Sequence, residues 1–134
     1  MSAGKFQPLN PLETVLQEAM QADKKIDDFF ALFLESDVTL ASTTEVQPDG
    51  SELKPLLFHL SNDTWLCVFT ALERAIPFKK EAPYCVTMKG RALLEWYPFP
   101  HGMIVNPGSA GAFELPLTGV RQLQKHFLGK DEGE

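Results

Sequence analysis

The sequence predicts an α+β fold: a mixed, largely antiparallel sheet flanked by helices, with a helix pair at the N-terminus and a helix at the C-terminus. Three observations carry this expectation. Apolar residues recur twice at helical spacing in the first 36 positions, extended runs broken by turn residues fill the middle of the chain, and helical spacing returns from Val120 onward. The 134 residues, 44% of them hydrophobic, suffice to bury one core and are too few for two ordinary domains. A single domain is expected, ordered over about 8–128, with an acidic tail at 129–134.

The first helix begins at Asn10-Pro11-Leu12-Glu13. Asn is a favoured cap, the fixed φ of Pro suits the first helical turn, and Glu stands where its carboxylate can reach back to the cap. Leu12, Val15, Leu16, Ala19 and Met20 then make one apolar stripe, ended by the polar stretch at 21–25. Ile26, Phe29, Phe30, Phe33 and Leu34 repeat the spacing, with Asp27 and Asp28 in the first turn, where the helix dipole favours negative charge. The two helices are expected to pack as a hairpin.

From Val38 the pattern changes to β-branched and alternating residues through Thr43, and Pro48-Asp49-Gly50 supplies turn chemistry. A second extended run spans 55–60, and Ser61-Asn62-Asp63 separates it from a third, Thr64 to Phe69. Short connections suggest an antiparallel meander of these three. The third run is apolar on both sides, so it belongs at the centre of its sheet, with one face under the helices and the other covered by something further. Thr70-Ala71-Leu72-Glu73 has capping-box spacing, but Pro77 limits any helix to little more than a turn. Tyr84 to Met88 reads as a return to the sheet, Arg91 to Trp96 as a short helix stopped by Pro98, and Met103 to Val105 as a strand ended by Asn106-Pro107-Gly108. Val120, Leu123 and Phe127 give the last helix.

A formal charge of −6 opposes the basic footprint that phosphate neutralisation needs, so nucleic acid is excluded as an expected partner. The same balance opposes anionic membrane surfaces, and no apolar run approaches the roughly 20 residues of a spanning helix. The N-terminal residues carry no apolar core of a secretory signal, so a cytoplasmic setting is expected. Cys67 and Cys85, both in apolar strand-like runs, read as reduced and buried thiols.

Three stretches together resemble the SseB protein N-terminal domain, a bacterial family. The helical opening runs from Asn10-Pro11-Leu12-Glu13 to Phe33-Leu34-Glu35-Ser36. Phe69-Thr70-Ala71-Leu72-Glu73-Arg74 is similar to a Phe-Thr-Ser-x-Glu-Arg element of that family, with Ala71 where Ser is more usual. Gly102-Met103-Ile104-Val105-Asn106-Pro107-Gly108-Ser109 resembles its glycine, apolar strand and Asn-Pro-Gly-Ser turn. The resemblance covers roughly residues 10–128 and implies a mixed sheet flanked by helices. It implies no catalytic activity, cofactor or binding residues, and longer relatives carry a second domain.

The candidate sites each have a structural reading beside the functional one. The turn from Asn106 through Gly108 and Ser109 to Gly111 offers backbone N–H groups to an anion or a partner carbonyl, yet Asn-Pro and Gly are first of all turn formers. No Gly-Lys-Ser/Thr follows, which removes the phosphate-loop reading. Arg74 has a guanidinium fork suited to a ligand carboxylate, or to pairing with the neighbouring Glu73 on the surface. Trp96, Tyr97 and Phe99 form an aromatic loop that must fold back onto the body or be covered by another molecule. Asp23, Asp27, Asp28, Glu35 and Asp37 form an acidic cluster open to a basic partner, although helix-dipole placement already accounts for several of them. His59, His101 and His126 lack metal-ligand spacing, and a Ser109–His101 nucleophile pair lacks an orienting carboxylate. The expectation is therefore a non-catalytic protein-interaction or regulatory module without cofactor or metal. The alternative is a sensor of an anion or amino-acid-like metabolite held by Arg74 and the Asn106 turn, and the third reading is an unrecognised enzyme. A homodimer through an edge strand or the aromatic loop is compatible with all three.

Overall fold

The computed structural model describes residues 7–21, 26–48, 51–60, 63–97, 101–109 and 112–129. Helices α1 (Pro11–Gln21) and α2 (Ile26–Glu35) form the expected pair. The expected helix break at 22–25, the turns at 49–50 and 61–62 and the acidic tail at 130–134 lie outside the described residues. Asn10 caps α1 as its position suggests, its Oδ1 accepting from the Glu13 N–H at 2.9 Å.

Six strands divide into two sheets. β1 (Asp37–Ser42) pairs antiparallel with β4 (Tyr84–Lys89), while β2 (Leu57–Leu60), β3 (Asp63–Val68), β5 (Gly102–Val105) and β6 (Phe113–Leu115) lie in the order β2-β3-β5-β6. The hairpin of β2 and β3 is the one predicted, but the three-strand meander is not. β1 takes the distant β4 as its ladder partner and is joined toward the larger sheet by single bridges from Thr39 to Phe69 and from Ser42 to Pro55. β3 and β5 run parallel, which requires a long crossover, and α3 (Leu72–Ala75), the 3-10 turn Ile76–Phe78, β4 and α4 (Gly90–Trp96) supply it.

β3 is central, as its two-sided apolar run requires. Leu66 and Val68 enter the main core with Met103 and Val105 of β5, beneath Phe29, Phe30 and Phe33 of α2 and Leu12 and Leu16 of α1. Cys67 and Phe69 face the other way, into a smaller cluster with Ile104, Ala75 and Phe78. The further cover on that side is thus the 3-10 turn, whose Phe78 ring lies 5.6 Å from both Phe58 and Phe69. α5 (Leu117–Leu128) closes the main core through Val120 and ends at Gly129, whose φ of 72° makes a left-handed cap.

Gly90 and Gly102 mark close approaches. A Cβ on Gly90 would stand 2.1 Å from the Phe33 carbonyl oxygen, and one on Gly102 would stand 2.4 Å from that of Leu115. One expectation about the thiols is corrected. Cys67 is buried, but Cys85 is exposed, because the odd-numbered side chains of β4 point away from the core that takes Val86 and Met88.

Candidate functional site

The polar residues that the sequence singles out converge on one carboxylate. Glu13 has no exposed surface, because the first turn of α1 packs against the segment that follows β3. Its Oε1 accepts from Arg74 Nη2 at 2.7 Å and from the Leu9 N–H at 2.9 Å, and its Oε2 accepts from Arg74 Nε at 3.1 Å and from the Thr70 hydroxyl at 2.5 Å. The two nitrogens of one guanidinium face both oxygens of one carboxylate, the bidentate arrangement to which Arg is suited. Burial alone would raise the Glu13 pKa. The hydrogen bonds from Arg74, Thr70 and Leu9, with the charge of Arg74, outweigh it and hold the carboxyl below its ordinary value.

Thr70 links this pair to the Asn106 turn, and every polar group it carries is used. Its N–H donates to Asn106 Oδ1 at 3.0 Å, its hydroxyl accepts from Asn106 Nδ2 at 2.8 Å, and its carbonyl accepts from Asn10 Nδ2 at 2.9 Å. Asn106 is buried at a φ of 52°, a left-handed conformation that Asn tolerates better than most side chains, and Ser109 Oγ donates to its carbonyl at 2.9 Å. Gly108 follows at a φ of 82°.

Two local readings change. The capping box at Thr70 to Glu73 does not form: the N-cap of α3 is Ala71 without a side-chain bond, and the Thr70 hydroxyl goes to Glu13 instead. Arg74 pairs with the buried Glu13 across 61 positions and also donates from Nη2 to the Gln7 carbonyl at 2.6 Å. Sequence reasoning placed Glu13 as a capping residue and missed its larger role. The available signal was that Glu13 stands three residues before Leu16, so a helical turn brings it onto the edge of the buried stripe.

The aromatic loop is split. Trp96 is 46% exposed, whereas Tyr97 is buried, its hydroxyl donating to the His101 carbonyl at 2.9 Å, and burial pushes its pKa up. Phe99 lies outside the described residues, as do Ala110 and Gly111. Of the acidic cluster, Asp23 lies outside the described residues, Glu35 pairs with Arg91 at 2.9 Å and Asp37 with Lys89 at 3.2 Å. Ser109 turns its hydroxyl to the Asn106 carbonyl, and among the described residues no group of His, Cys, Asp and Glu could hold a metal ion.

Two surface features emerge that the sequence did not single out. Leu72 and Ile76, four residues apart on α3 and the turn that follows, are 55% and 61% exposed on either side of the anchored Arg74. A cleft of about 250 Å³ is lined by Asp63, Thr64, Trp65, His101, Gly102 and Pro116, and the indole N–H of Trp65 is buried without an acceptor among the described residues. No helix among the described residues is long and apolar enough to cross a membrane.

The model of the SseB protein N-terminal domain matches residues 12–122. No curated protein and no solved structure matches the chain. The buried network joins one residue or more from each of the stretches that carry the resemblance: Asn10 and Glu13 from the opening helix, Thr70 and Arg74 from the middle element, Asn106 and Ser109 from the turn. Most of the chain thus lies within one family model, and the chain belongs to the SseB protein N-terminal domain family.

Proposed function

We propose that the chain is a non-catalytic protein-interaction module whose contact surface is the α3 segment. The observation that supports this reading is the occupied guanidinium fork. Glu13 already fills the position on Arg74 that a ligand carboxylate would take, so the network serves to hold α3 at a fixed attitude. Leu72 and Ile76 then project from a short element that cannot shift without breaking a buried ion pair. Exposed large apolar residues on a rigid support are the material of interface anchors. The proposal sets the module in the cytoplasm, where Cys67 and the exposed Cys85 stay as thiols.

The test is capture of cellular proteins on the immobilised chain and on a Leu72→Ser/Ile76→Ser pair whose folding is checked by circular dichroism. A partner held by the parent chain and lost from the folded pair is the expected result. Equal capture by both would remove the α3 surface from the proposal.

A second reading, small-ligand binding, is favoured by the Trp65 indole N–H, a buried donor beside the 250 Å³ cleft. It predicts that an amide- or carboxylate-bearing metabolite shifts the Trp65 indole resonance and stabilises the fold, by roughly 2.7 kcal/mol at 100 times its dissociation constant. A silent screen of amino acids, nucleotides and common metabolites would remove it.

A further inference from the structure

We propose that the outer edge of β4 is a self-recognition surface, on which a second copy of this chain adds its own β4 antiparallel about a twofold axis at Thr87. This goes beyond the α3 surface and does not depend on it.

The register shows which backbone groups face outward. Gly90 N–H donates to the Ser36 carbonyl at 2.9 Å, while Thr39 exchanges bonds of 2.8 and 2.9 Å with Phe69 on the opposite side of β1. Bonding direction alternates along an antiparallel pair, so Val38 and Met88, Leu40 and Val86, and Ser42 and Tyr84 bond to each other. The backbone N–H and C=O groups of Cys85 and Thr87, with the N–H of Lys89, therefore point away from β1, the Lys89 carbonyl being taken by the first turn of α4, and no strand among the described residues pairs there.

This edge is regular where other edges are cut short. β4 spans six residues with unbroken register from Asp37↔Lys89 to Ser42↔Tyr84, whereas the outer strands of the larger sheet, β2 and β6, span four and three. Neither a proline nor a bulge nor a charge interrupts Tyr84 to Met88, and these are the devices by which natural edges avoid pairing. Pro83 and Lys89 delimit the run at its two ends.

The occupant is chosen by self-complementarity. With Thr87 on the axis, each outward residue meets another: Thr87 its own copy, Cys85 the Lys89 of the second chain, and Lys89 the Cys85. Thr87 exchanges both of its backbone bonds with its copy, each Lys89 N–H meets the Cys85 carbonyl of the second chain, and facing Thr residues are a favourable cross-strand pair. The two Lys89 ammoniums fall at opposite ends of the new ladder. A ladder of two strands is short of what a sheet needs for independent stability, and the pairing makes it a continuous four-stranded one, β1-β4 joined to its copy.

Sedimentation equilibrium of the full chain tests this, with Thr87→Lys as the principal variant. Thr87 is exposed, its hydroxyl 3.2 Å from that of Thr39 and its side chain on the face opposite the core-packed Val86 and Met88, so the substitution sets like charges face to face on the axis without entering the core. A concentration-dependent dimer is expected, weakened at least tenfold in Thr87→Lys, with the amides of Thr87 and Lys89 exchanging more slowly as concentration rises. Thr87→Cys in a Cys85→Ser background should cross-link on mild oxidation, because facing residues of a bonded pair have Cα atoms about 5.5 Å apart. A monomer at concentrations on the order of 1 mM, or a dimer indifferent to Thr87→Lys and without the Thr87→Cys cross-link, overturns the proposal.

Discussion

Arg74 and Glu13 are 61 residues apart in sequence, yet two guanidinium nitrogens lie 2.7 and 3.1 Å from the two oxygens of the fully buried carboxylate. The pair draws the N-terminal helix onto the segment between the two sheets. Removing one partner leaves a charge with neither water nor counter-ion, which costs about 3–5 kcal/mol. Arg74→Ala should therefore lower the melting temperature by roughly 10 °C or more. Arg74→Ala combined with Glu13→Gln should cost clearly less than the sum of the single changes. Additive losses in thermal denaturation would show that the two side chains do not act as a unit.

Acid should loosen the fold through the same carboxylate. Its folded pKa lies below the ordinary value of 4.5, so the stability it contributes is fully present above about that pH and is lost as pH falls through the folded value. Urea denaturation between about pH 6 and pH 3 should show a declining midpoint in the parent chain and a smaller decline in Glu13→Gln. Equal slopes would place the acid sensitivity elsewhere.

Asn106 combines an uncommon backbone with a buried side chain, and two substitutions separate these roles. Asn106→Ala strips the acceptor from the Thr70 N–H, removes one donor from a Thr70 hydroxyl that keeps its bond to Glu13, and keeps a Cβ at a φ of 52°, at a cost of about 1–3 kcal/mol for the buried N–H left unpaired. Asn106→Gly loses the same bonds but should recover about 1 kcal/mol of backbone strain. Chemical denaturation ranks the pair, and a glycine variant no more stable than the alanine variant would mean that the left-handed conformation carries no strain.

Gly90→Ala should be among the most damaging single methyl additions. The new carbon would meet Phe33 backbone at 2.1 Å, and displacing a core helix costs about 1–3 kcal/mol or more. Gly129→Ala meets nothing within 4 Å and bears only the left-handed φ, so it serves as the milder control. A comparison of their melting temperatures decides the matter.

The two thiols should differ sharply toward a thiol reagent. Cys85 is exposed, while burial pushes the Cys67 thiol up to about 12. One fast equivalent is expected in the native protein, abolished by Cys85→Ser, with the second appearing only on unfolding. Two fast equivalents would mean that the core around Cys67 opens readily.

The helices and the central strand were legible because each follows from a local period. Phe29, Phe30 and Phe33 fall on one stripe, and the run from Trp65 to Phe69 is apolar on both sides. Strand partnership was not legible. Adjacency in sequence favours joining the run after Val38 to the next one, whereas β1 finds its ladder partner more than forty residues on, which no local pattern encodes. β6 was missed because Phe113 to Leu115 is too short to show alternation before Pro116. At the candidate site, residue choice was legible and role was not. Arg74 and Asn106 stand out by type, but a buried partner and a ligand would leave the same trace in the sequence.

Because Thr70 is bonded at once to Asn10, Glu13 and Asn106, the opening helix cannot reach its final seat until the polypeptide has been made past residue 106. On the ribosome α1 and α2 emerge before the strands and must wait with their phenylalanine stripe uncovered while the parallel strand that completes the core is still being translated. Long-range closure of this kind makes folding slow relative to local helix formation. The nascent chain is therefore most exposed to chaperones and proteases during the synthesis of its middle third, and a product truncated before Asn106 lacks the clasp that would hold its first helix.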